Sequence, residues 1–302
     1  MFKYTLDNKR YHTFNYFLRN KFNSKVFKIP IDAHASCPNK LTGGCIYCKG
    51  NSKANITDNT LSLFEQYTSE VKVLNQKWPN AKHIIYFQTG TNTYMSLKDF
   101  QKNLEPFLNV PEIVGISIAT RSDALTDEYI QYFKELSKKT FLTIELGLQS
   151  SKNDTLKLIN RGHDKENFEK AVKKLKENGI FVVAHIINGL PFENKNDMLE
   201  TAKFLNQINI DGVKIHMLHV LTDTPLESLY NKTQFHILTK EEYIDIVIDQ
   251  LELLDEKIVI ERITGDPIIQ DLITPTWLTK KFILLNDIDK EMVKRNTYQG
   301  KK

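Results

Sequence analysis

From residue 25 onward, short apolar runs alternate with stretches whose apolar residues recur at helical spacing. The runs at 25–33 (KVFKIPIDA), 83–88 (HIIYFQ), 114–120 (VGISIAT), 141–149 (FLTIELGLQ), 181–188 (FVVAHIIN) and 212–220 (GVKIHMLHV) predict strands. They are nearly continuous in hydrophobicity, as strands covered on both faces are. Helical periodicity fills the intervals at 59–78, 96–109, 126–136, 164–178 and 196–206, with Ser96 and Thr126 placed as N-caps and Gly179 as a stop. Six strand–helix units predict parallel strands with right-handed crossovers. The expected fold is α/β, a partial (β/α)6 TIM-like barrel, open rather than closed, with a helical C-terminal extension. Chemistry in such sheets sits at the C-terminal strand ends.

The rhythm changes after Leu221. Residues 239–255 predict a helix opened by a capping box, Thr239 with Glu242. A further strand is expected at 257–263, and a basic helical tail at 274–296 carrying Trp277, Lys280, Lys281, Lys294 and Arg295. Ahead of the first strand, residues 8–23 are aromatic and basic, and Tyr11, Phe14, Phe17 and Leu18 fall on one helical face. Packing is the first reading of that face, and an anion-binding surface the second. The expected organisation is an N-terminal segment (1–24), a core (25–222) and a C-terminal extension packed on the core (223–302).

Composition narrows the class. The 302 residues carry a net charge of +4, with 41% hydrophobic and 26% charged residues, ordinary for a globular protein. The mild charge leaves a nucleic-acid partner open without requiring one. No signal peptide or membrane-length apolar run stands out, so no membrane partner and a reducing cytoplasmic location are expected.

All three cysteines, Cys37, Cys45 and Cys48, fall within twelve positions of a turn-rich stretch between the first strand and the first crossover helix. Three thiolates leave a structural zinc site one ligand short unless His34 closes it. They suffice for a four-iron, four-sulfur ([4Fe–4S]) cluster that keeps one iron open, thiolate being the usual donor. Backbone N–H groups at Gly43 and Gly44 are candidate donors to cluster sulfides. An odd number of cysteines with no mark of secretion argues against disulfides.

The motifs CPNK…GGCIYC, FQTGTNTY, ATRSDAL, IELGLQS, NRGH, NGLPFE, KIHMLHVLTDTPL, ERITGD and NTYQG, in this order, resemble the YhcC/YtqA-type branch of the radical S-adenosylmethionine (SAM) superfamily. That branch is related to the elongator catalytic-subunit and coproporphyrinogen-oxidase groups. The cysteine spacing here is C-x7-C-x2-C, against the usual C-x3-C-x2-C. The resemblance implies that Cys37, Cys45 and Cys48 bind a [4Fe–4S] cluster whose open iron chelates SAM, and that reductive cleavage of SAM yields a radical that takes hydrogen from substrate.

The same resemblance assigns a SAM-side group. Tyr47 would pack beside the adenine. Thr89 and Gly90 stand where most of the superfamily has Gly-Gly-Glu, and the acidic partner is absent. Glu145 would bind SAM or pair with Arg161, and Arg161 would meet the SAM carboxylate. Gln149 would bond ribose hydroxyls, Ser117 and Arg121 would touch ribose or substrate, and Asn188 would lie over the adenine. His185, His216 and His219 are core residues or pocket lining. With every thiol committed, no second cluster and no cysteine hydrogen donor remain, which leaves Tyr86 or Tyr94 for that task. No catalytic side chain is otherwise assigned. The implied substrate is a transfer-RNA wobble uridine, with a reductant such as flavodoxin or ferredoxin and a downstream modification enzyme as partners. The alternatives are a radical SAM enzyme acting on a small metabolite and a non-catalytic, zinc-stabilised RNA-binding module.

Overall fold

Helix α1 (Phe14–Phe22) precedes strand β1 (Val26–Ile31), and α2 (Leu63–Asn75), β2 (Lys82–Phe87), α3 (Leu97–Leu104), β3 (Ile113–Thr120), α4 (Asp127–Ser137) and β4 (Phe141–Gln149) follow. Then come α5 (Asn153–Leu158), α6 (Lys165–Glu177), β5 (Phe181–Asn188), α7 (Lys195–Gln207), β6 (Gly212–Met217) and β7 (Val220–Leu221). The chain ends through α8 (Pro225–Thr233), α9 (Lys240–Leu253), β8 (Val259–Arg262), β9 (Leu272–Thr274) and α10 (Lys281–Lys294). This computed structural model describes residues 2–49, 58, 60–279 and 281–302. Gly50 beside the cysteine stretch, Asn59 at the head of the first predicted crossover helix, and Lys280 of the basic tail lie outside the described residues.

One parallel sheet runs in the order β1-β2-β3-β4-β5-β6-β8 and curls into a half-barrel. The strand expected at 257–263 is thus a seventh stave of the same sheet, reached through α9. The run at 212–220 divides into β6 and a two-residue strand, β7, that leaves the sheet to pair antiparallel with β9. Caps act where the residue types place them. Ser96 and Thr126 accept from the third backbone N–H of their helices, Thr239 and Glu242 close a capping box, and Gly179 follows α6 with φ 74°.

Apolar faces of the strands and crossover helices form the main core, in which Phe100, Phe133 and Phe168 are fully buried. Each such side chain contributes about 1.5–3 kcal/mol by leaving water. The N-terminal aromatic face is packing surface. Phe17 lies 5.8 Å from Phe141 and 5.2 Å from Phe181, at the starts of β4 and β5. This is the end of the barrel opposite the cysteine stretch. Just before α1, Thr13 bridges Ile260 and His12 O accepts from Ile260 N at 2.8 Å, which pairs the first half of the β8 edge and leaves Glu261 and Arg262 facing the space between β8 and β1. The buried Gln299 side chain accepts from His12 N and donates to Ile258 O. No helix among the described residues is long and apolar enough to cross a membrane.

Candidate active site

The cysteine stretch leaves the C-terminal end of β1 and folds as one turn of 3-10 helix, Pro38–Thr42, started by proline where no N–H is needed. Lys40 N donates to Cys37 O and Cys48 N to Cys45 O, so two tight turns present the thiols. Gly43 N and Gly44 N donate to Lys40 O and Asn39 O. Their expected role toward sulfides is therefore not available, because the turn itself consumes both donors. Positive φ at each glycine, 92° and 75°, is what closes the turn.

Three neighbours fix this loop. Asn160 donates from Nδ2 to Thr42 O at 2.8 Å and Gly44 O at 2.7 Å. Lys49 reaches Asp271 at 2.9 Å and Thr222 at 3.0 Å, while Leu226 N donates to Ile46 O, so the segment after β6 fastens the trailing side. At the leading side, Thr91 N donates to Ser36 O. A Cβ on Gly90, at φ 74°, would fall 1.9 Å from Ala35 O.

A cavity of about 350 Å³ opens beside the loop. It brings together Cys37, Cys45, Cys48, Tyr47, Thr89, Gly90, Arg121, Glu145, Gln149 and Arg161 from the expected set. Cys45 is buried, Cys37 half-buried and Cys48 exposed. Cys45 Sγ faces Asn39 Nδ2 at 3.4 Å and Arg161 Nη1 at 3.8 Å. The other Arg161 nitrogens donate to Gly147 O at 3.1 and 2.6 Å. Burial first, then the Cys45 thiol, pushes the Tyr47 hydroxyl well above its usual range. Arg121 is held bidentately by Asp123 at 2.8 and 2.7 Å, and its buried Nη1 meets no partner among the described residues.

Thiolates of a [4Fe–4S] cluster each take a different iron, so they stand around the cluster rather than converge on one ion. Three soft donors around one cavity, two guanidinium groups close by and an unsatisfied buried N–H fit an anionic cluster and a carboxylate ligand. A zinc site closed by His34 does not fit. The His34 side chain is 58% exposed, beside Asp32, and among the described residues no three His, Cys, Asp or Glu side chains form a site for a single ion.

Three expectations are corrected. Ser117 is fully buried and donates to Glu145 at 2.6 Å, outside the cavity wall. Asn188 exchanges hydrogen bonds of 2.8 and 2.9 Å with Gln250 of α9, which turns its amide away from the site. Glu145 does not pair with Arg161. Its two oxygens accept from Lys28 (2.6 Å), Ser117, Tyr86 (2.9 Å), His185 (2.6 Å) and Lys214 (2.5 Å), and five donors exhaust a carboxylate.

Below the cavity these contacts form a polar belt with one side chain from every strand of the sheet: Lys28, Tyr86, Ser117, Glu145, His185, Lys214 and Glu261. Lys28 also binds Glu261 at 2.6 Å. Burial alone would raise the Glu145 carboxyl, but Lys214, Lys28 and His185 outweigh it and hold it well below the usual range. Burial lowers His185, against its bond to Glu145. Burial, then neighbouring cationic groups, holds His216 neutral and well below its ordinary value, while His219 falls to about 4 through burial. Lys28, Lys214 and Glu261 were not singled out from the sequence. The available signal was a charge in mid-strand at the same inward parity as Glu145. Of the two tyrosines, Tyr86 lines the cavity and Tyr94 is exposed.

A second cavity of about 1060 Å³ lies along the open seam between β1 and β8 and shares Tyr86, Gln88, Lys214, His216 and Arg262 with the first.

The family model "Radical SAM superfamily" matches residues 36–205, and "Radical_SAM C-terminal domain" matches residues 210–294. The chain is 41% identical to the uncharacterized protein YtqA of Bacillus subtilis, over 99% of this chain and 95% of that one. It is 29% identical to a tRNA uridine(34) acetyltransferase of Methanocaldococcus infernus, over 51% of this chain and 29% of that one. Among solved structures, the archaeal Elp3 of M. infernus superposes with a TM-score of 0.70 at 20% identity, covering 91% of this chain and 64% of the Elp3 chain.

Proposed function

This chain belongs to the radical SAM superfamily, enzymes that work with a [4Fe–4S] cluster and SAM, and we propose that its substrate is a transfer-RNA nucleoside, a wobble uridine. The observation that carries this reading is the pair of joined cavities. The 350 Å³ space beside the thiols is of small-ligand size. The larger space opens sideways through the seam, where a base turned out of its strand can enter while still attached. The partial similarity to a tRNA uridine(34) acetyltransferase points to the same substrate class.

In this reading Cys37, Cys45 and Cys48 hold three irons. When bound, the cluster and SAM supply a one-electron cleavage of the S–C5′ bond and a radical that abstracts hydrogen. Tyr47, Thr89, Gly90 and Gln149 surround SAM, and Arg161 and Arg121 offer N–H groups to its carboxylate, a charge-assisted contact. Glu145 and Ser117 set the floor beneath it through the belt. Reducing conditions, as in the cytoplasm, suit a cluster reached from outside through Cys48. The partners are an electron donor and an enzyme that carries the nucleoside further.

Two measurements test this. Anaerobic protein given dithionite and SAM forms 5′-deoxyadenosine, and Cys45→Ala abolishes it; retained cleavage in the variant contradicts the site. Mass profiling of transfer-RNA nucleosides from a deletion strain shows a modified wobble uridine lost or arrested. An unchanged profile removes the RNA substrate and leaves a small metabolite.

A further inference from the structure

Abstraction of hydrogen brings the reacting carbon of the substrate up to the SAM cavity, so the reactive part of the substrate sits where the two cavities join. Five side chains line both spaces: Tyr86, Gln88, Lys214, His216 and Arg262. Three of them are already engaged. Tyr86 and Lys214 are spent on Glu145 at 2.9 and 2.5 Å, and Arg262 pairs with Asp266 at 3.3 Å. The other two, Gln88 and His216, have no side-chain hydrogen-bond partner among the described residues. Gln88 follows β2, one strand in from the β1 edge, and His216 lies in β6, one strand in from the β8 edge. They stand on opposite sides of the seam, and both are half-buried.

An amide withdrawn from water without a partner is costly, and this one stands where a ligand can supply the partner. A primary amide carries an acceptor beside a donor. The imide edge of uracil carries a donor, N3–H, beside carbonyl acceptors, so the two match in a two-bond pair. Across the seam, burial and then the neighbouring cationic groups keep the His216 ring uncharged, and the His185 ring backs it at 5.6 Å. A flat, neutral ring so supported suits stacking, the way proteins hold a base turned out of its strand. We propose that Gln88 reads the imide edge of a uracil ring turned into the seam, and that His216 is the surface against which that ring lies. The inference rests on the RNA reading and adds how the base is recognised.

The test uses cluster-loaded protein with SAM, held anaerobically with the cluster oxidised so that SAM is not consumed. Two hairpin RNAs with the form of an anticodon stem-loop are compared, one with uridine and one with 3-methyluridine at the wobble position. Dissociation constants are read by fluorescence anisotropy. Wild type binds the uridine hairpin about tenfold more tightly, because methylation removes the imide N–H. Gln88→Met brings the two constants to within about twofold, through loss of uridine affinity alone. Its affinity for the methylated hairpin stays near the wild-type value, which a misfolded variant would not show. His216→Ala weakens both hairpins about tenfold, and His216→Phe restores both. Discrimination that survives Gln88→Met overturns the proposal, as does equal weakening by His216→Ala and His216→Phe. Wild type that binds both hairpins equally overturns it too and leaves the RNA reading standing, whereas wild type that binds neither removes the RNA substrate and the inference with it.

Discussion

Glu145 has no exposed surface and accepts five hydrogen bonds, from residues on five other strands. A carboxylate in that place is costly unless its charge is answered, and here Lys28 and Lys214 answer it. The arrangement fixes a sign for acid stability. Because the folded carboxyl sits well below its ordinary range, its contribution is fully present above the unfolded value of about 4.3 and is lost as pH falls toward the folded one. Glu145→Gln should destabilise the protein by about 3–5 kcal/mol near neutrality, since it leaves two buried ammonium groups under-compensated. The variant's unfolding free energy should also fall less steeply than wild type between about pH 5 and pH 3. Denaturant titrations across that range check both, and parallel curves would show that the belt carries no such charge. The belt also explains a limit of sequence reading. A lysine in an apolar strand usually turns its head to water, and only the curl of the sheet sends Lys28 and Lys214 to one carboxylate 117 and 69 residues away.

At the scale of elements, the loop that bears the thiols is shaped by its neighbours. The turn after β2 meets its leading edge, Asn160 its middle, and the β7–β9 pair with α8 its trailing side. Gly90 marks the closest of these approaches, with positive φ and no room for a Cβ against Ala35 O. Gly90→Ala should cost about 1–3 kcal/mol in backbone strain and displace the loop. Anaerobically reconstituted variant should then hold less than half the wild-type iron, read by metal analysis and visible absorption; full occupancy would mean that the turn does not set the loop. The strands were legible because continuous apolar runs bounded by caps and glycines have few other uses. α5, α8 and the β7–β9 pair were not, because each is short and is held by tertiary bonds. The placement of Asn188 is illegible for a similar reason. Its local motif is right for the rim, but its partner, Gln250, lies 62 residues further on.

Across the whole molecule, the half-barrel has three levels. α1 and the starts of the strands pack the lower end, the polar belt spans the middle, and the thiols stand at the upper rim above a cavity that continues into the open seam. The thiol trio was legible because all three cysteines lie in one turn-rich stretch at a strand end, whereas the seam is a property of the curled, unclosed sheet and has no local signature. The account turns on three thiolates holding a cluster with one accessible iron. The most direct measurement is electron paramagnetic resonance of anaerobically prepared, reduced protein with and without SAM, alongside metal analysis. The account predicts about four iron and four sulfide per chain and a cluster signal that shifts when SAM is added. A single tightly held zinc, or an iron signal indifferent to SAM, would contradict it.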